Sequence, residues 1–269
     1  ADTATVFNIY YHAERLCNED VVYHFDTTLY DDVSRQLLFS DEGHSMIRPE
    51  FDAMMDSAIV KGYVPGDIID DDVVNIMDLT FMVTYMFEGG GSICIMNSLD
   101  INGDCCGPNI ADMTYLIDYL FGIGAAPLCG CLEQGCPVMK ATFAANVWAE
   151  YDGNETVIHL STEQMLRGLE LTLVGEGTAE PHSLVKGAIE MVHGYHAGGM
   201  LRVGLVDMQG AAHIESGSQA VLRVPGEFRI ADAYGSDMDH KGVPMTAAAS
   251  APVVPTEFAL HQNYPNPFN

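Results

Sequence analysis

The spacing of hydrophobic and polar positions changes along the chain, and each change marks a predicted region. Residues 1–62 contain alternating stretches such as Val21-Val22-Tyr23-His24-Phe25, which are typical of strands. Residues 63–136 place large apolar residues at helical spacing, and residues 137–247 return to short alternating stretches between turn signals. Residues 248–269 form a linker and an extended tail. The pattern predicts an α+β multidomain fold, mostly an antiparallel β-sandwich with a small α-helical module before it.

The helical region contains an internal repeat. The stretch Asn75–Phe87 returns 34 residues later as Asn109–Phe121, with six of thirteen positions identical. Each copy ends in glycines, which stop helices, and each copy follows an acidic stretch. The sequence therefore predicts an acidic loop followed by a helix, twice.

The first acidic stretch has the spacing of a calcium loop. Calcium takes six to eight oxygen ligands, and a twelve-residue loop offers them from positions 1, 3, 5, 7, 9 and 12. Position 3 is Ile69, which has no side-chain oxygen, and Asp72 stands where glycine usually makes the sharp turn. The predicted ligands at positions 1, 5, 7, 9 and 12, with a backbone carbonyl at position 7, are Asp67, Asp71, Val73, Asn75 and Asp78.

The second stretch begins with an Asp-x-Asn-x-Asp pattern, and its predicted ligands are Asp100, Asn102, Asp104 and Asp112. It is one residue longer than the twelve-residue pattern, so its backbone ligand is left open. A disulfide at Cys105 or Cys106 is expected to replace the glycine turn. Aspartates that cap helices need no metal, which is the competing interpretation. Two loops with the same helix behind them favour Ca²⁺, and two calcium ions are expected.

Residues 66–122 resemble a dockerin module. The resemblance lies in Asp-Ile-Asn-Gly-Asp at 100–104 and in the repeat at Asn109–Phe121. It implies two calcium ions and a helical surface that docks on a cohesin β-sandwich. In dockerins, small hydroxyl residues beside the last ligand often recognise the partner. The matching positions here are Ile76-Met77 and Ile110-Ala111, which implies an apolar contact, within the chain rather than between chains.

Two further resemblances concern the rest of the chain. The stretches Leu169–Leu173, Leu201–Asp207 and Val221–Phe228 are similar to strands of a cohesin-type sandwich. The tail Phe258–Asn269 resembles the start of the C-terminal sorting domain of proteins exported by the type IX route, which implies an extracellular or bacterial cell-surface location. A chain with both modules is expected to close on itself or to self-associate head to tail into a homopolymer. The tail offers a strand for addition to a neighbour's sheet edge.

Charge and cysteine content narrow the partners and the compartment. The formal charge of -27, from 11 basic and 38 acidic residues, argues against nucleic acid and against anionic membrane surfaces. No apolar run reaches the roughly 18 residues of a spanning helix, so membrane insertion is not expected. Six of the seven cysteines lie between Cys94 and Cys136, which favours disulfides in an oxidising compartment. One cysteine is left over, and the spacing does not fix the pairing.

The chain lacks the patterns Gly-x-Ser-x-Gly, P-loop and His-Glu-x-x-His, so it is predicted to be non-enzymatic. The leading hypothesis is a secreted calcium-binding structural protein, a subunit of an extracellular filament or surface scaffold. One alternative is a dockerin-type binding module that recruits a separate cohesin partner in a carbohydrate-active complex. Another is an accessory domain of an enzyme.

Overall fold

The computed structural model describes residues 62–93, 95–132, 136–137, 143, 145–176 and 180–248, together with the backbone of four short strands before them. Strand β1 (Val21–His24) pairs antiparallel with β4 (Ser57–Val60), and β2 (Phe39–Ser40) pairs antiparallel with β3 (Met46–Ile47). These four strands lie in the segment that alternation predicts to be β-rich.

The two copies of the repeat form helices. Helix α1 (Ile76–Val83) continues into a π-helical turn (Thr84–Glu88), and α2 spans Ile110–Leu120. A 3₁₀ turn (Met96–Leu99) lies between them. The predicted order of loop and helix is therefore confirmed in both copies. Among the described residues, no helix combines the length and apolarity needed to span a bilayer.

Matching asparagines cap the two helices. The Oδ1 atom of Asn75 accepts a hydrogen bond from Met77 N–H, and the Oδ1 atom of Asn109 accepts one from Ala111 N–H, each at 2.8 Å. In return, Asp78 and Asp112 accept the backbone N–H of their capping asparagine, which completes a capping box. The sequence folds this way because a short polar side chain satisfies N–H groups that a helix start leaves unpaired.

Two five-stranded sheets follow the helices. In the first, which we call the docking sheet, the strand order is β13-β12-β7-β10-β9, and in the second, the distal sheet, it is β14-β5-β6-β11-β8. All neighbours pair antiparallel except β14 and β5, which are parallel. The predicted antiparallel β-sandwich is thus confirmed. Its strands are β5 (Ala145–Tyr151), β6 (Glu155–Thr162), β7 (Gly168–Gly175), β8 (His182–Ser183), β9 (Glu190–His196), β10 (Met200–Val206), β11 (Gly217–Pro225), β12 (Phe228–Ser236), β13 (Gly242–Pro244) and β14 (Thr246–Ala247).

Apolar residues form two clusters that meet at the docking sheet. One cluster fills the sandwich, where alternate residues of β6, including Ile158 and Leu160, point inward. The other lies between the helices and the outer face of the docking sheet, and it joins Met82 and Leu116 to Val206 of β10. The core of the helical module therefore includes residues of the docking sheet.

Candidate metal loops and the face that docks on the sandwich

In the first loop, two buried carboxylates hold the backbone from opposite ends. The Asp67 carboxylate accepts N–H groups from Asp71 at 3.0 Å and from Asp72 at 2.7 Å. The Asp78 carboxylate, which starts α1, accepts the N–H of Ile68 at 2.7 Å. Positions 1 and 12 of the loop are therefore turned inward, as a calcium loop requires.

The other predicted ligands of the first loop lie along its exposed side. Asn75 donates from Nδ2 to the Val73 carbonyl at 3.1 Å, and Asp71 accepts Val73 N–H at 3.0 Å. Asp71 itself is exposed. Within the described ranges, the first loop has no group of three acidic side chains whose ligand oxygens all lie within 4.8 Å. The carboxylates of the first loop therefore do not form a cluster close enough to share one ion in this conformation.

The second loop brings three predicted ligands together. Oxygens of Asp100, Asp104 and Asp112 all lie within 4.8 Å of one another, and Asp100 and Asp112 are fully buried. The Oδ1 atom of Asp100 is buried without a hydrogen-bond partner. A water or an ion would satisfy this buried oxygen, and three clustered carboxylates fit a hard divalent cation.

The electrostatics of the second loop support the same fit. Burial raises the pKa of Asp112 well above its usual range, and the charges of Asp104 and Asp100 raise it further. Burial also raises the pKa of Asp104, to which the charge of Asp100 adds. Carboxylates this close repel one another unless a proton or a cation lies between them. A calcium ion would remove this repulsion.

Asn102 connects the second loop to the sandwich. Its Oδ1 accepts Asp104 N–H at 3.0 Å, and its Nδ2 donates to the carbonyl of His240, in the turn between β12 and β13, at 2.9 Å. The predicted ligand at position 3 therefore also joins the loop to the docking sheet.

Sequence reasoning missed Asn109 and the carbonyl of Cys106 as candidate ligands. Asn109 Nδ2 donates to the Cys106 carbonyl at 2.5 Å, as Asn75 Nδ2 does to the Val73 carbonyl in the first loop. The 34-residue repeat aligns Asn109 with Asn75, and that alignment was the signal that could have found it. The Cys106 carbonyl therefore has the same hydrogen bond as the Val73 carbonyl, which makes it the candidate for the backbone ligand that the sequence left open.

The two loops follow the same backbone path. Positive φ angles occur at Asp70 (62°) and Asp72 (70°) in the first loop and at Gly103 (68°) and Cys105 (63°) in the second. Cys105 thus makes the sharp turn that glycine usually makes. Cys105 is disulfide-bonded to Cys131, and a second disulfide joins Cys106 to Cys136. The expected disulfide support of the second loop is confirmed.

The π-helical turn docks on β9 and β10 through Phe87. His196 Nε2 donates to the Phe87 carbonyl at 2.8 Å, and the Arg202 guanidinium lies 5.9 Å from the centre of the Phe87 ring. A Cβ on Gly194 would lie 1.9 Å from the Phe87 carbonyl oxygen, and one on Gly204 would lie 2.6 Å from the ring. Two strands therefore carry glycine where the turn approaches.

Helix α2 docks on β7 and β12. Its first residue, Ile110, packs on Gly168, where a Cβ would lie 2.7 Å from Ile110 Cγ1. Thr114 Oγ1 and Ser236 Oγ share a buried hydrogen bond of 2.7 Å. The helix is thereby held on the sheet by both an apolar and a polar contact.

The predicted apolar contact within the chain is formed by one repeat and not by the other. Ile110 and Ala111 are fully buried, so the prediction is confirmed for this pair. It is wrong for Ile76 and Met77, whose exposed fractions are 56% and 59%. The reason is geometric, because the beginning of α2 faces the docking sheet whereas the beginning of α1 faces solvent.

An ion pair at the buried Asp118 fixes the last turn of α2 to the sandwich. Asp118 binds Arg167 Nη2 at 2.9 Å and His240 Nε2 at 3.0 Å. Burial lowers the pKa of His240, against the pull of the Asp118 carboxylate, and the Arg167 charge lowers it further. Because the carbonyl of His240 also accepts from Asn102, the ion pair and the second loop share one contact with the docking sheet.

Neither a protein-family model nor a curated protein matches the chain. The solved structures to which it is similar include cohesin modules. A Clostridium thermocellum type I cohesin–dockerin complex, Coh-OlpC-Doc435, shows 8% identity, coverage of 42% of this chain and 94% of that chain, and a TM-score of 0.35. The cohesin module of a Clostridium perfringens family 33 glycoside hydrolase shows 11% identity, coverage of 40% of this chain and 100% of that chain, and a TM-score of 0.30. A non-cellulosomal cohesin from Archaeoglobus fulgidus shows 14% identity, coverage of 39% of this chain and 86% of that chain, and a TM-score of 0.28. At these TM-scores we base no conclusion on the likeness.

Proposed function

We propose that this chain is a secreted, non-enzymatic structural protein in which a dockerin-like calcium module docks on a cohesin-like sandwich of the same chain. The observation that carries the proposal is the packing of Phe87 and Ile110 against glycines of the docking sheet. A helical surface seated on a β-sandwich is the arrangement that the sequence resemblance implies. Here both partners lie within one chain, so the pair needs no second molecule.

Calcium would stabilise this docked pair through the second loop. Asp100, Asp104 and Asp112 would bind the ion, with Asn102 and the Cys106 carbonyl as further oxygen donors. Asp112 is part of α2, so the ion would join the loop to the helix that docks. Because ligand binding to the folded state alone stabilises it, calcium would raise the free energy of unfolding. In the first loop, Asp67 and Asp78 would hold a second ion.

Self-association would use surfaces that the docked module leaves open. The outer face of the docking sheet is covered by the module, so head-to-tail docking would first require the module to leave. Strand β14 ends at Ala247 on the edge of the distal sheet, and the tail begins there. Addition of the tail to a sheet edge of a neighbouring copy would build an extracellular filament without opening the docked pair.

Calorimetry and electron microscopy of the full chain test the proposal. Titration of the calcium-free protein should give binding heat, and calcium should raise the melting temperature. The double variant Asp78→Asn and Asp112→Asn is the control and should lose both effects. Absence of heat and of any melting shift in the natural chain would overturn the calcium module. Monomers alone in negative-stain images, with and without calcium, would overturn the filament role.

One observation favours the second candidate, recruitment of a separate cohesin partner. The first repeat exposes Ile76 and Met77 at the beginning of α1, where the second repeat buries the matching Ile110 and Ala111. Capture of a purified cohesin by the natural chain, and its loss in Met77→Asp, would support recruitment. If no cohesin binds while calcium still does, the closed structural role stands alone.

A further inference from the structure

The sharp turn of the second loop is made by a cysteine rather than a glycine. Cys105 has a φ angle of 63°, a left-handed conformation that side chains other than glycine rarely adopt. Its sulfur is bonded to Cys131, which lies 26 residues further along the chain. The disulfide therefore ties this turn of the second loop to a distant segment, whereas Asp72 makes the matching turn of the first loop without one.

The segment that carries Cys131 also orients a ligand. Cys131 N–H donates to Asp100 Oδ2 at 2.8 Å, and Cys105 N–H donates to the same oxygen at 3.2 Å. Leu128 N–H donates to the Ile101 carbonyl at 2.9 Å and keeps this segment beside the loop. These donors occupy Oδ2, while Oδ1 is the buried oxygen that has no hydrogen-bond partner. The disulfide thus keeps Asp100 turned so that Oδ1 can bind an ion.

The second disulfide supports a second ligand. Cys106 is bonded to Cys136, and Cys106 N–H donates to Asp104 Oδ1 at 2.7 Å. The carbonyl of Cys106 is the backbone oxygen that takes the position of Val73 in the first loop. Each of the two adjacent cysteines therefore donates its N–H to a candidate ligand, and each is bonded to a cysteine outside the loop.

The first loop contains no disulfide. Residues 67–78 contain no cysteine, and the Asp67 carboxylate takes its hydrogen bonds from Asp71 and Asp72 within the loop itself. We propose that the Cys105–Cys131 and Cys106–Cys136 disulfides set the calcium affinity of the second loop, so that a thiol reductant weakens this site and leaves the first loop unchanged. The inference rests on the proposed calcium binding.

The chemical step is thiol–disulfide exchange with a dithiol such as dithiothreitol. Each protein disulfide accepts two electrons and two protons, so one S–S bond breaks and two thiols form. The dithiol is oxidised to its cyclic disulfide, and no other reactant is needed. Reduction removes the bond that holds the Cys131 segment beside the turn at Cys105. The loop would then be less ordered before binding, and part of the binding free energy of calcium would be spent on ordering it.

Isothermal titration with calcium, with and without dithiothreitol, tests the inference. Measured in the Asp78→Asn background, where the second loop alone would bind, reduction should weaken the affinity about tenfold or more, because order lost on reduction must be restored on binding. Measured in the Asp112→Asn background, where the first loop alone would bind, reduction should leave the affinity unchanged. Far-UV circular dichroism of each sample checks that the reduced chain is folded.

Two variants test the role of the turn without a reductant. Replacing Cys105 and Cys131 by serine removes one disulfide and should weaken the second site about tenfold. Replacing Cys105 by glycine and Cys131 by serine removes the same bond but restores the residue that favours the turn, so it should recover part of the loss. Equal affinities of the serine and glycine variants would contradict the role of the disulfide in holding the turn.

The outcomes separate this inference from the function on which it rests. If the oxidised chain binds calcium and reduction or the serine pair weakens only the second loop, the inference holds. If the oxidised and reduced chains bind equally, the inference is overturned while the proposed calcium module stands. If the oxidised natural chain does not bind calcium at all, both are overturned.

Discussion

Both loops bury the carboxylates at positions 1 and 12, but the first loop exposes Asp71 at position 5, whereas the second brings the half-buried Asp104 within 4.8 Å of Asp100 and Asp112. Both loops have left-handed residues at positions 4 and 6 and an asparagine cap, but the second has one residue more and a cis peptide between Gly107 and Pro108. Their support differs as well. The second loop is fixed by two disulfides and a contact with the docking sheet, whereas in the first the Asp67 carboxylate accepts N–H groups of Asp71 and Asp72 within the loop.

The difference shows how a duplicated unit can take two roles. The two helix starts, 34 residues apart, have the same capping box but different surroundings, since only α2 begins against the docking sheet. Ile110 and Asp118 of the second repeat are buried against the sandwich, whereas Ile76 of the first repeat is exposed. Exchanging residues between the repeats therefore tests which surroundings matter.

The largest effect is expected at the buried ion pair. Asp118→Thr places in α2 the residue that the first repeat has at the matching Thr84. Because Arg167 would lose its buried carboxylate, the free energy of unfolding should fall by about 3–5 kcal/mol. Urea denaturation measures the change. The control Thr84→Ser should change it by no more than about 0.5 kcal/mol, and a similar small change in Asp118→Thr would refute the ion pair as an anchor.

The next effect compares the two isoleucines that begin the helices. Ile110→Ala should destabilise the protein by about 2–5 kcal/mol, because it leaves a cavity against Gly168. Ile76→Ala removes an exposed side chain and should cost no more than about 0.5 kcal/mol. Thermal and urea unfolding of both variants provide the comparison. Equal losses would mean that the two repeats are packed alike.

A third variant disturbs the docking sheet rather than the repeat. Gly194→Ala would place a Cβ 1.9 Å from the Phe87 carbonyl oxygen, so the π-helical turn must shift. Overpacking of this kind should lower the free energy of unfolding by about 1–3 kcal/mol. Glu190→Ala, at the exposed start of the same strand, is the control and should stay within about 0.5 kcal/mol. An unchanged Gly194→Ala protein would contradict the close approach of the module.

The smallest effect sharpens the difference between the loops. Ile69→Asn gives the first loop the side-chain oxygen that the second loop has at Asn102. An added oxygen ligand should tighten calcium binding at the first loop about tenfold, which is about 1.4 kcal/mol. Calorimetry in the Asp112→Asn background measures this site by itself. The reverse change, Asn102→Ile, should weaken the second loop, and no effect of either change would exclude position 3 as a ligand.

The sequence alone predicted the features that depend on local pattern. The repeat indicated both helices and the loops before them, and alternation indicated the sandwich, because each period reflects a face of one element. The alignment of Asn75 with Asn109 also indicated Asn109, the helix cap that the sequence analysis left out of the candidate ligands. The tail and its proposed sorting role lie outside the described residues and stay predictions, as does calcium binding itself.

Contacts between distant elements were not predictable in the same way. Gly194 and Gly204 lie more than a hundred residues from Phe87, and a glycine within a strand does not indicate what approaches it. The pairing of Cys105 with Cys131 likewise depends on the path of the segment after α2, which spacing does not fix. Only the assembled fold brings these residues together.

Anomalous diffraction from crystals grown with calcium tests the central claim most directly. The account predicts a calcium peak between the carboxylates of Asp100, Asp104 and Asp112, with six to eight oxygens at about 2.3–2.6 Å and Asp100 Oδ1 among them. A map that shows no anomalous peak there at saturating calcium, with a water bound to Asp100 Oδ1 instead, would contradict it.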